Sequence, residues 1–256
     1  MIFTNRPKTE IDVKLNGTPI ERSTCERFLG VLVDEKLSWS DHIKMLASKI
    51  SRNSGIIYKL KGIVPESVLK TLYNSFIQSN LNFCSSVWGL RSKNSVELLF
   101  RAQKKSIRAI ENRFNLFFYN KDTGECPCHT KEIFERNSLL TVHNLIAKNC
   151  LTLMHKVYVG RCPQPIKNFF YKSSLDCRPR REQKFFEVPF NRLKSVDNAI
   201  SFKGPKFYNM TVNQINTQIL ANTTYKQPLM QNKFHDPFKK SLKLHLLKVQ
   251  SEGDSS

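Results

Sequence analysis

From residue 43 to residue 157 the apolar side chains recur at helical spacing, and this pattern limits the possible folds more than any other feature. Ile43, Leu46, Ala47, Ile50, Ile57 and Leu60 fall on one helical face. Val68, Leu69, Leu72, Tyr73, Phe76 and Ile77 form a second stripe, and Val96, Leu99, Ala102 and Ile110 a third over about 94–110. A longer pattern covers about 138–159 through Val142, Leu145, Ile146, Leu153, Met154 and Val157. Stop and start residues agree with these stripes. Ser38-Trp-Ser-Asp41 resembles a capping box. Gly62 is a plausible stop, and Pro65 suits the first position of the second helix, where its missing N–H would be unpaired anyway. Gly160 caps the long helix, with Pro163 and Pro165 just beyond. Weaker helical segments are expected over about 199–219 and 237–249, the latter carrying Phe238, Leu242, Leu246 and Val249.

The N-terminal segment has a different period. Ile11, Val13 and Leu15 alternate with polar residues, as in a half-buried strand. Asn16-Gly17 is a hairpin-turn signal, because both residues tolerate positive φ, and Thr18-Pro-Ile20 begins the return. Phe28-Leu-Gly-Val-Leu-Val33 is a continuous apolar run, suited to a buried strand. Residues 111–130 and 171–198 read as irregular, and 251–256 as a disordered tail. The expected fold class is therefore α+β and mainly α: short N-terminal strands (1–40), a helical bundle (41–111) and a helical, loop-rich C-terminal region (112–250).

Charge narrows the partners. The chain has 41 basic and 21 acidic residues, a formal net charge of +20. Residues 1–110 hold 18 basic and 9 acidic residues, and residues 111–256 hold 23 and 12, so the excess is spread along the chain. Such an excess points to a polyanion, and nucleic acid is the partner we expect, through its backbone. No stretch is apolar for long enough to span a bilayer, and no membrane partner is expected. Residues 1–8 lack the apolar core of a signal peptide. We therefore expect an intracellular protein, nuclear or cytoplasmic, with mostly reduced cysteines. Cys126-Pro-Cys128-His129 is too tight a cluster for all three residues to hold one zinc ion easily, so no metal site is expected.

Several segments, taken in order, look like parts of one family. Phe28-Leu-Gly-Val-Leu-Val-Asp34, with Leu37-Ser-Trp39 and His42-Ile43, resembles a signature of LINE-type (non-LTR) retrotransposon reverse transcriptases that lies just after the polymerase palm. Met1-Ile-Phe-Thr4 resembles the palm strand that follows the catalytic hairpin, and Leu15–Ile20 the strand pair leading into the signature. Val68–Tyr73 continues the match, and Leu81-Asn-Phe-Cys-Ser-Ser-Val-Trp-Gly89 is similar to a thumb element ending in Val-Trp-Gly. Phe100–Arg108 resembles a further element of that region. Ile200-Ser-Phe-Lys-Gly-Pro-Lys-Phe-Tyr-Asn209 resembles a block of the C-terminal extension, with Tyr208 where Trp is usual.

The resemblance implies the end of a palm, a thumb and a C-terminal extension. In that family, nucleotide addition needs Mg²⁺ held by carboxylates, including two adjacent Asp residues on a palm hairpin. This chain contains no Asp-Asp pair, and Met1 falls after the expected hairpin. No catalytic residue and no cofactor are therefore expected in it, and it should be inactive as a polymerase without an upstream palm and fingers. Asp34 reads as a turn or cap residue. The resemblance assigns Phe28, Leu29, Gly30 and Val31 to a primer grip. Their plain structural reading, a buried strand with Gly30 at a bulge, is favoured for the isolated chain. Lys44, Lys49, Arg52, Lys59, Lys61, Lys104 and Lys105 are candidate phosphate contacts on the thumb-like helices, or simply a solvated face. Arg178, Arg180 and Arg181 could form a phosphate clamp or an import patch. Three functional readings follow: a polymerase fragment, an adapted non-enzymatic nucleic-acid-binding protein, and a translated remnant without selected function.

Overall fold

The computed structural model describes residues 1, 3, 13–90, 93–110, 130–172, 184–190, 199–222 and 235–252. The fold is mainly helical, with two small antiparallel hairpins at its N-terminal end. In the first, β1 (Lys14–Leu15) pairs with β2 (Thr18–Pro19) about Asn16 and Gly17, which take φ of 49° and 81°. This is the turn that Asn-Gly implied.

The second hairpin corrects an expectation. Phe28–Val33 is not one continuous buried strand. Strand β3 (Cys25–Phe28) turns at Leu29-Gly30 and returns as β4 (Val31–Asp34), with Phe28 opposite Val31. Leu29 and Gly30 both take positive φ, 47° and 88°, which lets a two-residue turn follow the twist of the strands. An apolar run cannot by itself distinguish one strand from two halves of a hairpin. Val31 is buried in the core and Val33 packs partly against it, while Phe28 and Leu29 stand at the exposed tip.

Helix α1 (Ser40–Leu60) follows. The capping box at Ser38–Asp41 does not form: Trp39 occupies the N-cap position in a left-handed conformation, and no side chain caps the helix from there. Instead, the Asp34 carboxylate accepts the backbone N–H groups of Ser38 at 2.9 Å and Trp39 at 2.8 Å. The turn-or-cap role read for Asp34 therefore holds. Helix α2 (Glu66–Tyr73) starts one residue later than expected, with Pro65 at its N-cap; the Pro65 carbonyl accepts from Val68 and Leu69.

A π-turn over Asn74–Gln78 links α2 to α3 (Ser79–Asn82). Leu69, Tyr73, Ile77 and Leu81, spaced by four, are all buried. Spacing of four outruns an α-helix by about 0.4 residue per step, and the widened turn takes up that drift. Val68 and Phe76, which the stripe placed inward, are exposed. Short α4 (Ser85–Trp88) and long α5 (Lys93–Ile110) follow.

Helix α6 (Thr130–Arg136) was not foreseen, because seven residues carry too few apolar repeats to show a period. It ends in a turn through Ser138, at φ 51°, so the next helix begins later than expected. That helix, α7 (Val142–Val159), is N-capped by the Thr141 hydroxyl and C-capped by Gly160 in the left-handed region. It is buried around most of its circumference, through residues as dispersed as Leu145, Cys150, Leu151 and His155. Apolar residues all round a helix mark a central element. Helix α7 packs on α3, α4 and α5 and also on α9 (Ile200–Asn222) and α10 (His235–Glu252). Short α8 (Gln164–Lys167) lies between α7 and α9 in sequence. One hydrophobic cluster thus runs from Val31 to Leu246. Helix α10 extends to Glu252, into the stretch expected as a tail; residues 253–256 lie outside the described residues.

Candidate nucleic-acid interface

The signature around residues 28–43 works as one turn-and-cap unit. The Leu29-Gly30 turn sets the hairpin, Asp34 ties its end to the start of α1, and His42 reaches back so that its Nδ1 accepts the Leu32 N–H at 3.3 Å. His42 is buried beside the Trp88 ring, 5.7 Å between centroids. Desolvation holds its pKa below the ordinary 6.5. At Asp34 partial burial pushes the carboxyl up, but hydrogen bonds from Ser38 and Trp39 outweigh it and leave the pKa below the usual carboxylate value. Those oxygens are committed to backbone amides and do not form a metal site. Among the described residues no group of three His, Cys, Asp or Glu could hold a metal ion.

Two further motifs turn out to be packing devices. Trp88 is fully buried, and its indole N–H donates to the Phe83 carbonyl at 2.9 Å. A Cβ on Gly89 would lie 2.6 Å from Ile146 Cγ1, so glycine is what lets α4 approach α7. In the C-terminal block, Tyr208 is buried against Tyr158, Phe185, Phe186 and Phe238. The Asn209 side chain accepts the N–H groups of Phe185 and Phe186 at 3.0 and 3.1 Å and donates to the Phe186 carbonyl at 2.8 Å.

Gln103 was missed because only its place among apolar residues marks it. It is fully buried; its amide donates to the Tyr73 hydroxyl at 2.9 Å and the Leu140 carbonyl at 3.0 Å, and its oxygen accepts the Val142 N–H at 2.8 Å. It therefore joins α2, α5 and the start of α7.

The candidate phosphate contacts divide. Lys44, Lys49, Arg52 and Lys59 stand exposed along α1, opposite its buried stripe. Lys44 pairs with Asp41 at 3.5 Å, an exposed contact of little consequence. Lys61 lies 5.9 Å from the centre of the Tyr58 ring. The neighbours Lys104 and Lys105 diverge, since successive helical residues point about 100° apart. Lys104 sits 4.1 Å over Phe100, whose ring meets Phe134 and His143 on the side of α6 and α7. Lys105 instead lines a groove of about 290 Å³ between α1 and α5, with Ser51, Gly55, Tyr58 and Ala109. Lys105 and the half-exposed ring of Tyr58 thus share one groove, and Lys61 stands near that ring. Arg178, Arg180, Arg181 and the Cys126–His129 cluster lie outside the described residues.

Among the described residues no helix is long and apolar enough to cross a membrane. Over 112 residues the chain is 23% identical to a probable RNA-directed DNA polymerase from transposon X-element of Drosophila melanogaster. The match covers 42% of this chain and 12% of that protein, so the chain spans a small fraction of its relative. No family model and no solved structure matches. The similarity is thus to part of an RNA-directed DNA polymerase of a transposon.

Proposed function

We propose that this chain corresponds to the thumb and C-terminal region of a LINE-type retrotransposon reverse transcriptase, and that it holds nucleic acid by its backbone without performing polymerase chemistry. The observation that carries this reading is the groove between α1 and α5, which Tyr58 and Lys105 line, with Lys61 5.9 Å from the Tyr58 ring centre and exposed cations along α1. Cations on a backbone track, with an aromatic ring for a base to stack on, are the usual parts of a strand-binding surface. Further support comes from the exposed apolar residues Leu15, Ile20, Phe28 and Leu29 on the N-terminal hairpins. Apolar positions at a sheet end are the kind that a neighbouring palm would cover.

The test is fluorescence anisotropy of labelled single strands and RNA–DNA duplexes across a salt series. The expected result is binding that weakens steeply with salt. Replacing Arg52, Lys59 and Lys105 together by Gln should lower the log–log slope by about 0.9 for each phosphate no longer neutralised, as on duplex DNA. Salt-independent binding, or an unchanged slope in the triple variant, would remove this reading. A primer-extension assay with Mg²⁺ should show no product from this chain alone; extension by it would overturn the non-catalytic part.

A further inference from the structure

A second concave site is separate from that groove, and no described residue of α1 or α5 lines it. It is a polar pocket of about 500 Å³, walled by the π-turn, the loop after α6, the middle of α7 and α10. Asn74, Gln78 and Asn82 come from the π-turn and α3, Asn137 from the loop, Lys148 from α7 and Lys243 from α10. None of the described lining residues is acidic.

Three observations converge. The π-turn opens the helix at this wall, with the Ser79 N–H reaching back to the Asn74 carbonyl; such turns are often found at functional sites. The Gln78 side-chain oxygen is buried with no hydrogen-bond partner among the described residues, an arrangement that favours a ligand able to donate to it. Lys148 is half-buried; burial first, then the like charges of Lys243 and Lys239, hold its pKa below the ordinary value. Cations gathered by the fold without a carboxylate between them are stabilised by an anion. The volume is within the range of small-molecule sites. Side-chain amides can pair with the edge of a base, adenine above all, through a donor and an acceptor together.

We propose that this pocket is a nucleotide site, with Lys148 and Lys243 on the phosphate and the side-chain amides of Gln78 and its neighbours on the base. The nucleotide can be free or part of a strand; the pocket chemistry is the same for both.

The test is calorimetric titration of the full chain with adenosine 5′-monophosphate, adenosine, inorganic phosphate and an oligoadenylate. The monophosphate should bind more tightly than adenosine or phosphate alone. Lys148→Gln should weaken it by about tenfold, the loss expected of one charge-assisted hydrogen bond. Lys243→Gln should act in the same direction, while Lys206→Gln on α9, which lines neither the pocket nor the groove, should leave it unchanged. Lys243 is exposed, so its variant decides the matter if Lys148→Gln does not fold. Competition by oligoadenylate would support a nucleotide within a strand, and its absence a free one. No binding of the monophosphate, equal binding of inorganic phosphate, or indifference to both Lys148→Gln and Lys243→Gln would overturn the proposal. An unchanged salt slope in the variant lacking Arg52, Lys59 and Lys105 would remove the strand-binding reading and leave this one untouched, so the two can fail separately.

Discussion

At Leu29 the backbone carries a conformation its side chain opposes. Its φ of 47° is disfavoured for a residue with a Cβ, by about 1–2 kcal/mol, and the side chain is 80% exposed. Asn tolerates that region, so Leu29→Asn should raise stability by about 1 kcal/mol in urea unfolding. A lower midpoint would mean that the leucine makes a stabilising contact after all. A few residues on, His42 and Asp34 both bind protons more weakly when folded than when unfolded. The unfolded chain therefore takes up protons first as pH falls, and stability drops with it. The His42 contribution is intact above its unfolded value of 6.5 and is lost as pH falls from there toward its folded value. Asp34 adds a second decline, beginning near its ordinary 3.8 and continuing below it. In His42→Gln the loss of stability that starts near pH 6.5 should shrink, measured by denaturant midpoints across pH. An unchanged profile would assign the decline to other groups.

Between elements, two glycines sit under neighbouring helices with different tolerance. A Cβ at Gly89 would meet the Ser85 carbonyl and Ile146 Cγ1 at 2.6 Å each. Backbone cannot give way cheaply, so Gly89→Ala should destabilise by about 1–3 kcal/mol. At Gly204 the nearest atom is Met154 Sδ at 2.8 Å, the flexible end of a side chain. Gly204→Ala should therefore cost about 1 kcal/mol or less. Equal losses would show that α9 is held as tightly as α4. Gln103 tests the polar joint between α2, α5 and α7. Gln103→Leu fills the same space but leaves the Val142 N–H, the Leu140 carbonyl and the Tyr73 hydroxyl without that partner. A loss of about 2–4 kcal/mol is expected, since each buried polar group left unpaired costs about 1–3 kcal/mol. A loss near zero would mean that water enters and replaces the amide.

For the whole molecule the question is whether the helices on either side of α7 unfold together. One hydrophobic cluster spans both, with α7 at its centre. Cys150 on α7 is buried and its thiol is pushed up to about 12, chiefly by desolvation and against the opposing effect of Lys203. Cys84, beside α4, is exposed. A thiol reagent should label Cys84 at once, and Cys150 only at the denaturant concentration where helical circular dichroism is lost. Labelling of Cys150 at a lower concentration would show that α9 and α10 detach first.

The amino-acid sequence alone determined the mainly helical class, the stripes of α1 and α5, part of the stripe of α2, the Asn16-Gly17 turn and the role of Asp34 near a helix start. All of these depend on local period and backbone preference, which the sequence carries directly. It misread Phe28–Val33, because an apolar run does not say whether it folds back on itself. It could not place Lys104 and Lys105 on different sides of α5, nor mark Gln103 as a buried joint, because both depend on which helices pack alongside. The groove at Tyr58 and the pocket at Gln78 were equally out of reach: their walls come from segments far apart along the chain. Such neighbours meet only when α7 is buried from all sides, and that is decided by packing rather than by any local pattern.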